Sequence, residues 1–290
     1  HSRATMAESG QDTPPKFGLL TLLVAPVSFL GQRALAVLDH IGSMVMLLRD
    51  VSGWLWRSVR YRKKFRFGFA AIVSQVVRVG ARSLFIISLV SGCIGFILAL
   101  QLAPPLDQFG QKELVANIIG VAVLRELGPL IAAVVLTGFA GAAIAAEIGT
   151  MVVGEEIEAL EAHALNPVRF LVIPRVLAAV LSMTCLAVIA DVVSISSGLM
   201  TSMVALDIPY ATYVNNLLDQ VKPVDFWTGV GKGSIFGLLI GVIACGNGLQ
   251  VTGGAAGVGK ATTATVVESV VAIIIADMVF TAIFYALKLV

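Results

Sequence analysis

Charge is scarce in this chain. Only 13% of its 290 residues are Asp, Glu, Lys or Arg, about half the share of roughly 25% found in a soluble domain. With 58% apolar residues and a mean hydropathy of +0.93, too little polar surface remains to clothe a soluble fold. A membrane protein follows. Cysteine is also rare. Cys93, Cys185 and Cys245 each sit inside an apolar run, so they read as small buried hydrophobes, not as a disulfide framework. The three histidines are scattered, and no His, Cys and carboxylate group has metal-ligand spacing. No nucleophile–base constellation is recognisable, which argues against an enzyme acting on lipids. A net charge of +2 supplies no global field for nucleic acid.

What the chain has instead is long uncharged runs. A spanning helix needs about 20 mostly apolar residues. Leu84–Pro104, Leu127–Ala146, Val176–Leu206, Ser234–Leu249 and Ser269–Leu287 meet or approach that length, with Asp191 and Asp277 the acidic interruptions. The expected fold is an all-α polytopic membrane protein with five transmembrane helices, preceded by N-terminal interfacial helices.

Residues 1–5 read as an expression-tag remnant before Met6. Residues 6–82 form an N-terminal tail with amphipathic and basic helices, and residues 83–290 form the five-helix domain. Within the tail, Phe17–Gly31 is short, apolar and broken by Pro26, and Trp54–Phe67 mixes six cations with aromatics. That mixture suits the headgroup layer, so residues 17–67 read as helices lying on the membrane. A sixth span at 17–31 is the other reading. Arg57, Arg60, Arg62, Lys63, Lys64, Arg66, Arg78 and Arg82 precede the first span. The positive-inside rule then places the N-terminus in the cytoplasm and the C-terminus in the periplasm. The segments 147–175 and 250–268 become cytoplasmic loops, with Lys112, Lys222 and Lys232 on the opposite side.

Four motifs stand out. "GGAAGVGKATT" (253–263) has the glycines and lysine of a phosphate-binding loop. It lacks the preceding strand, and Ala261 occupies the position of the metal-binding hydroxyl. It reads as a cytoplasmic turn, with Thr265 and Glu268 as a capping box for the last span. "GEEIEALEAHALNP" (154–167) carries Glu155, Glu156, Glu158 and Glu161, with Ile157, Leu160 and Ala164 on one stripe. Pro167 is expected to end that helix. A solvated connector and a short helix docking into a partner's groove both fit.

In "VLRELGPL" (123–130), Arg125 and Glu126 stand at the mouth of an apolar run. Neighbouring residues on a helix point apart, so the two reach different partners. They face a cavity or snorkel to the interface, and Gly128–Pro129 suggests a break with 111–126 as a re-entrant or outer-leaflet segment. Asp191 and Asp277 are intramembrane acids that either bond between helices or carry protons, whereas Glu147 ends its span and needs no special role. Gly138, Gly141, Ala142 and Ala145 permit close helix approach, as at a dimer seam.

Taken in order, "LRELGPLIAAVVLTGFAGAAIAAEIGTM", "EEIEALEAHALNPVRFLVIPRVLA" and "GVGKATTATVVESVVAIIIADMVFTA" resemble the MlaE-type permease family, the membrane subunit of MCE-associated lipid ABC transporters. The resemblance covers roughly residues 60–290. It implies a homodimer enclosing an apolar lipid cavity, and a periplasmic MCE-domain lipid-binding partner. It makes Glu155, Glu156, Ile157, Glu158, Leu160 and Glu161 a coupling helix meeting a separate ATPase subunit, and sets Arg125 and Glu126 near the lipid. ATP and magnesium would bind to the ATPase, leaving this chain without cofactor or metal. The sequence departs from the family at Phe139, where Arg is usual, near Val152–Val153, where a basic residue is frequent, at Asn166 for Asp and at Lys260 for Arg.

The expected function is therefore the permease subunit of an ABC-type transporter moving phospholipid or a similar lipid across or out of the inner membrane. The alternative is an ion-coupled secondary transporter working through Asp191 or Asp277.

Overall fold

A computed structural model describes residues 31, 35, 38–54 and 69–288 of the chain. The proposed interfacial segment falls largely on residues outside these, including Phe17–Gly31 up to its last residue and the basic run after Trp54. Lipid offers no partner to a backbone N–H or C=O, so a chain this apolar must satisfy its backbone internally. Among the described residues all regular structure is helical.

The chain divides into two units between Val45 and Met46. In the first, residues 38–45 are helical and carry a Ser43 hydroxyl bonded to the His40 carbonyl. In the second unit, helix α1 (46–54) buries Val51 in the main core. The second unit holds α2 (Ala70–Gln108), α3 (Lys112–Val153), α5 (Val168–Ala205), α7 (Pro223–Leu249) and α8 (Gly254–Ala286). These five are long and apolar enough to cross a membrane. Two short helices join them, α4 (Glu156–Ala162) and α6 (Tyr210–Gln220).

Small residues set the packing. The hydrophobic effect does not drive helices together in lipid, so close contact and interhelical hydrogen bonds must. On α2 the buried positions recur every fourth residue: Val79, Ser83, Ile87, Ser91, Gly95, Ala99 and Ala103. That stripe lies on α5, the central helix. There Ser194 donates to the Ser91 carbonyl (2.9 Å) and Ser197 to the Gly92 carbonyl (2.7 Å). A β-carbon on Gly95 would overlap the Ser194 carbonyl oxygen. Helix α5 also receives α7, through Gly233, Gly237 and Gly241. By contrast, α8 buries only Thr265, Ser269 and Ile273, against α7 and α3.

Several expectations change. No re-entrant segment forms at 111–126, because α3 runs unbroken from Lys112 to Val153. The strain of Pro129 is absorbed by a π turn at Val123–Leu127, after which Pro129 sits in the first turn of a regular α segment. The segment 250–268 is not a loop: Gly253 (φ 82°) turns the chain and α8 begins at Gly254. Thr265 and Glu268 therefore cap nothing; Thr265 donates to the Ala261 carbonyl four residues back, as a mid-helix threonine does. Pro167 does not end α4, which stops at Ala162. Instead Asn166 accepts the N–H groups of Val168 and Arg169, and the pair opens α5. Lys232 lies inside α7, not in a loop. Cys93 and Cys185 are exposed, and only Cys245 is buried. In the small-residue stripe, Gly141 and Ala145 pack inside the chain, whereas a β-carbon on Gly138 would meet no neighbouring element within 4 Å.

Helix α6 lies outside the spans and buries Tyr213 completely beside Gly198. Burial pushes the phenol up to about 12 from an ordinary 10.0. The unfolded chain therefore loses this proton first, so the contribution is whole below pH 10 and falls away as pH rises towards 12. Tyr213→Phe should flatten that alkaline limb in a detergent thermal-melting series. A slope unchanged by the substitution would disprove the assignment. In the same assay Gly95→Ala should destabilise by about 1–3 kcal/mol through overpacking. Gly138→Ala, with open space around it, should be neutral or gain up to about 1 kcal/mol in helix propensity.

Candidate functional site: a charged cluster inside the bundle

The π turn at Val123–Leu127 adds a residue to one turn of α3, and such turns recur at functional positions. It carries Arg125 and Glu126, which reach different partners on α7. The Arg125 Nε donates to Asp225 Oδ1 at 2.7 Å. Asp225 is only 1% exposed, and its other oxygen accepts the Lys222 N–H at 2.8 Å. Pro223 and Asp225 stand in the first turn of α7, where a carboxylate suits the positive end of the helix dipole. One side chain thus starts α7 and pins it to α3.

Glu126 meets Lys232 Nζ at 2.6 Å, and Lys232 meets Asp277 Oδ1 at 2.9 Å. Thr281 accepts from Lys232 (3.0 Å) and donates to Glu126 Oε1 (3.0 Å). Phe284 places its ring 5.8 Å from the ammonium. Lys232 is 1% exposed. It sits nine residues past Pro223, and Asp277 nine before Ala286, so the cluster lies about 14 Å inside the helix ends. Asp277 and Thr281 continue the buried stripe of α8, four residues apart after Thr265, Ser269 and Ile273. Helices α3, α7 and α8 each give charge or hydroxyl to one point. The edge of the cluster is Glu126, whose side chain is 35% exposed.

Close packing supports this geometry. Pro129 has no N–H to return to the Leu124 carbonyl, and that carbonyl faces Gly229 of α7 so tightly that a β-carbon there would overlap it. Asp191 is 2% exposed and lies apart from the cluster. Neither of its oxygens has a hydrogen-bond partner, and the carboxyl presses on Gly128.

Residues 72–283 match the family described as Permease MlaE. The chain belongs to the MlaE permease family. The permease is 35% identical over 217 residues to a probable ABC transporter permease protein of Rickettsia bellii, covering 75% of this chain and 84% of that one. A probable ABC transporter permease protein of Rickettsia felis is 31% identical over 264 residues, 91% of this chain and 99% of the relative. Protein TRIGALACTOSYLDIACYLGLYCEROL 1 of Arabidopsis thaliana, chloroplastic, is 34% identical over 217 residues, 73% of the permease and 61% of that chain.

Of the residues singled out in the sequence, the permease brings Glu126 and Asp277 to the cluster, pairs Arg125 with Asp225 instead, and leaves Asp191 outside. The acidic helix lies at the other end of the spans. Glu155 takes a left-handed conformation (φ 59°) and opens α4. Glu156, Glu158 and Glu161 are exposed, while Ile157 and Leu160 are half-buried, Ile157 against the main core. Glu147 has a larger part than expected, bonding Arg78 (2.6 Å) and Arg175 (3.5 Å). Asp225, Lys232 and Thr281 were missed. The signal for two of them was present: Lys222–Pro223 followed by Asp225 is a helix start, and beginning α7 there would have drawn Lys232 into the membrane.

Removing one partner from a buried ion pair costs about 3–5 kcal/mol, whereas removing both charges is far milder. Lys232→Met should therefore destabilise the permease strongly in reversible SDS denaturation. Adding Glu126→Gln and Asp277→Asn should restore much of the loss. Additive losses in the triple variant would show that the three charges are not coupled.

Proposed function

We propose that this permease moves a phospholipid or a similar hydrophobic lipid across or out of the inner membrane, driven by a separate ATPase subunit. The observation that carries the reading is the Glu126–Lys232–Asp277 cluster, a polar point held at membrane depth whose exposed edge adjoins apolar helix surface. A lipid has matching parts: a polar headgroup for the charged edge and acyl chains for the apolar walls, at about 0.8 kcal/mol per buried CH₂. Arg125, though held by Asp225, keeps 20% of its side chain exposed and is the cation available beside that edge. A relative named for trigalactosyldiacylglycerol, a diacylglycerol lipid, favours the same substrate class.

The rest of the assembly follows from this reading. The permease pairs with a second copy through apolar surface such as that of α8, where Val267, Val271, Ile274, Ile275 and Met278 are exposed. Helix α4 is the coupling helix, with its glutamates toward the ATPase and Ile157 and Leu160 carrying the push into the core. ATP and magnesium reside in that partner. An MCE-domain protein receives or delivers lipid on the periplasmic side, with the N-terminus of the permease in the cytoplasm and the C-terminus in the periplasm. An ion-coupled route through Asp277 would have to break its pair with Lys232 first.

Co-purification of the full chain should bring down an ATPase and an MCE-domain protein. In proteoliposomes of that complex, Ile157→Asp with Leu160→Asp should lower ATP-dependent transfer of a fluorescent phospholipid at least tenfold. The isolated permease should hydrolyse no ATP. Hydrolysis by this chain alone, or lipid transfer indifferent to loss of the ATPase, would overturn the reading.

A further inference from the structure

A second amphipathic feature lies at the end of the spans near α4, away from the Lys232 cluster. A groove of about 200 Å³ runs between α2 and α3, with Arg78 and Arg82 on one wall and Phe139, Ala143 and Glu147 on the other. Both walls carry a π turn, Val77–Ala81 on α2 at the charged rim and Thr137–Gly141 on α3 deeper along the groove. Such turns re-aim side chains and recur at functional positions.

The charges are unbalanced. Glu147 is shared between Arg78 (2.6 Å) and Arg175 (3.5 Å). Arg82 has no hydrogen bond or ion pair among the described residues. Three guanidiniums against one carboxylate leave +2 at this corner. The guanidinium fork suits a phosphate better than a point charge does.

The depth is that of a headgroup. The uncharged run Leu84–Pro104 is 21 residues, about 31 Å of helix and close to the hydrocarbon thickness of about 30 Å. Arg82 stands just outside it. On α3, Glu147 directly follows the uncharged run Leu127–Ala146. Ala143 and Phe139 lie one and two turns deeper, about 6 and 12 Å into the apolar layer. Both are exposed, and a β-carbon on Gly138 beside them would meet nothing within 4 Å. The charged rim and the apolar slot are thus stacked along the membrane normal.

We propose that this groove holds one anionic phospholipid, its phosphate on Arg82 and Arg78 and an acyl chain along Ala143 and Phe139. The site is separate from the transport reading and stands whether or not that reading does. A free phosphate would use the same guanidiniums but gain nothing from the apolar slot.

Native mass spectrometry of the full chain, loaded with phosphatidylglycerol and exchanged into phosphatidylcholine micelles, tests this. One phosphatidylglycerol per chain should survive the exchange in the native protein. Arg82→Gln should reduce that retention at least fivefold. Ala143→Leu, which fills the slot and leaves every charge in place, should do the same. Lys112→Gln, at the opposite end of α3, should change nothing, and Arg82→Lys, which keeps the cation, should hold more lipid than Arg82→Gln; equal loss in both overturns the charge assignment. Native-level retention in both Arg82→Gln and Ala143→Leu overturns the proposal. Loss in Arg82→Gln alone, with millimolar inorganic phosphate competing for the site, overturns it in favour of a simple anion site.

Discussion

An ammonium buried between two carboxylates is the constraint around which this bundle is arranged. In lipid an isolated charge is costly, and neutralising it by contact is the available remedy. Lys232 cannot leave Glu126 and Asp277 without stranding all three, so α3, α7 and α8 share one register at that depth. Arg125 and Asp225 fix the same two helices, α3 and α7, a second time, nearer the end of α7. Two ion pairs at different heights prevent α7 from both sliding and rotating against α3. The close seat of Gly229 on the Leu124 carbonyl is possible because the register is held.

Elsewhere the bundle is held by smallness. The α2–α5 seam is a ladder of serine, glycine and alanine, with serine hydroxyls closing on backbone carbonyls across it. The α5–α7 seam uses three glycines in the same spacing. Helix α8 is different, because its inner stripe is narrow and polar contacts tie it down at two levels: Asn247 of α7 donates to Thr265 and Glu268, and the Lys232 cluster holds Asp277 and Thr281. A helix attached by one narrow stripe and two polar contacts keeps most of its apolar surface outside its own chain. This is consistent with its large apolar surface meeting lipid or another copy.

The sequence disclosed the fold class and the five spans, because long uncharged runs have few other uses. It also disclosed that Arg125 and Glu126 diverge, because helix geometry alone dictates it. It did not disclose their partners. Lys232 has three glycines within three residues, Gly229, Gly231 and Gly233, and a Trp–Thr pair before it, which resembles a loop in composition. Only the three-dimensional pairing with Asp277, which lies in a different helix, makes it a membrane residue. Thr265 and Glu268 misled for the opposite reason. Their spacing fits a helix start, yet the glycine-rich stretch before them is already helical, since Gly253 supplies the turn. The re-entrant reading failed at Pro129 because a π turn can absorb a proline without ending the helix. Roles defined by contacts with other molecules lie beyond any single chain's sequence.

The long separation within the central cluster has a consequence for biosynthesis. Glu126 precedes its cation by 106 residues. At about 5–20 residues per second, translation needs roughly 5–20 s to cover that distance. Throughout this interval α3 presents an unanswered carboxylate to the translocon or the bilayer. When α7 enters, Lys232 meets an acid already waiting, and Asp277 arrives last to a cation already in place. The order of the charges along the chain, acid, base, acid, makes each later helix the one that completes the earlier, so that insertion and assembly proceed as one process.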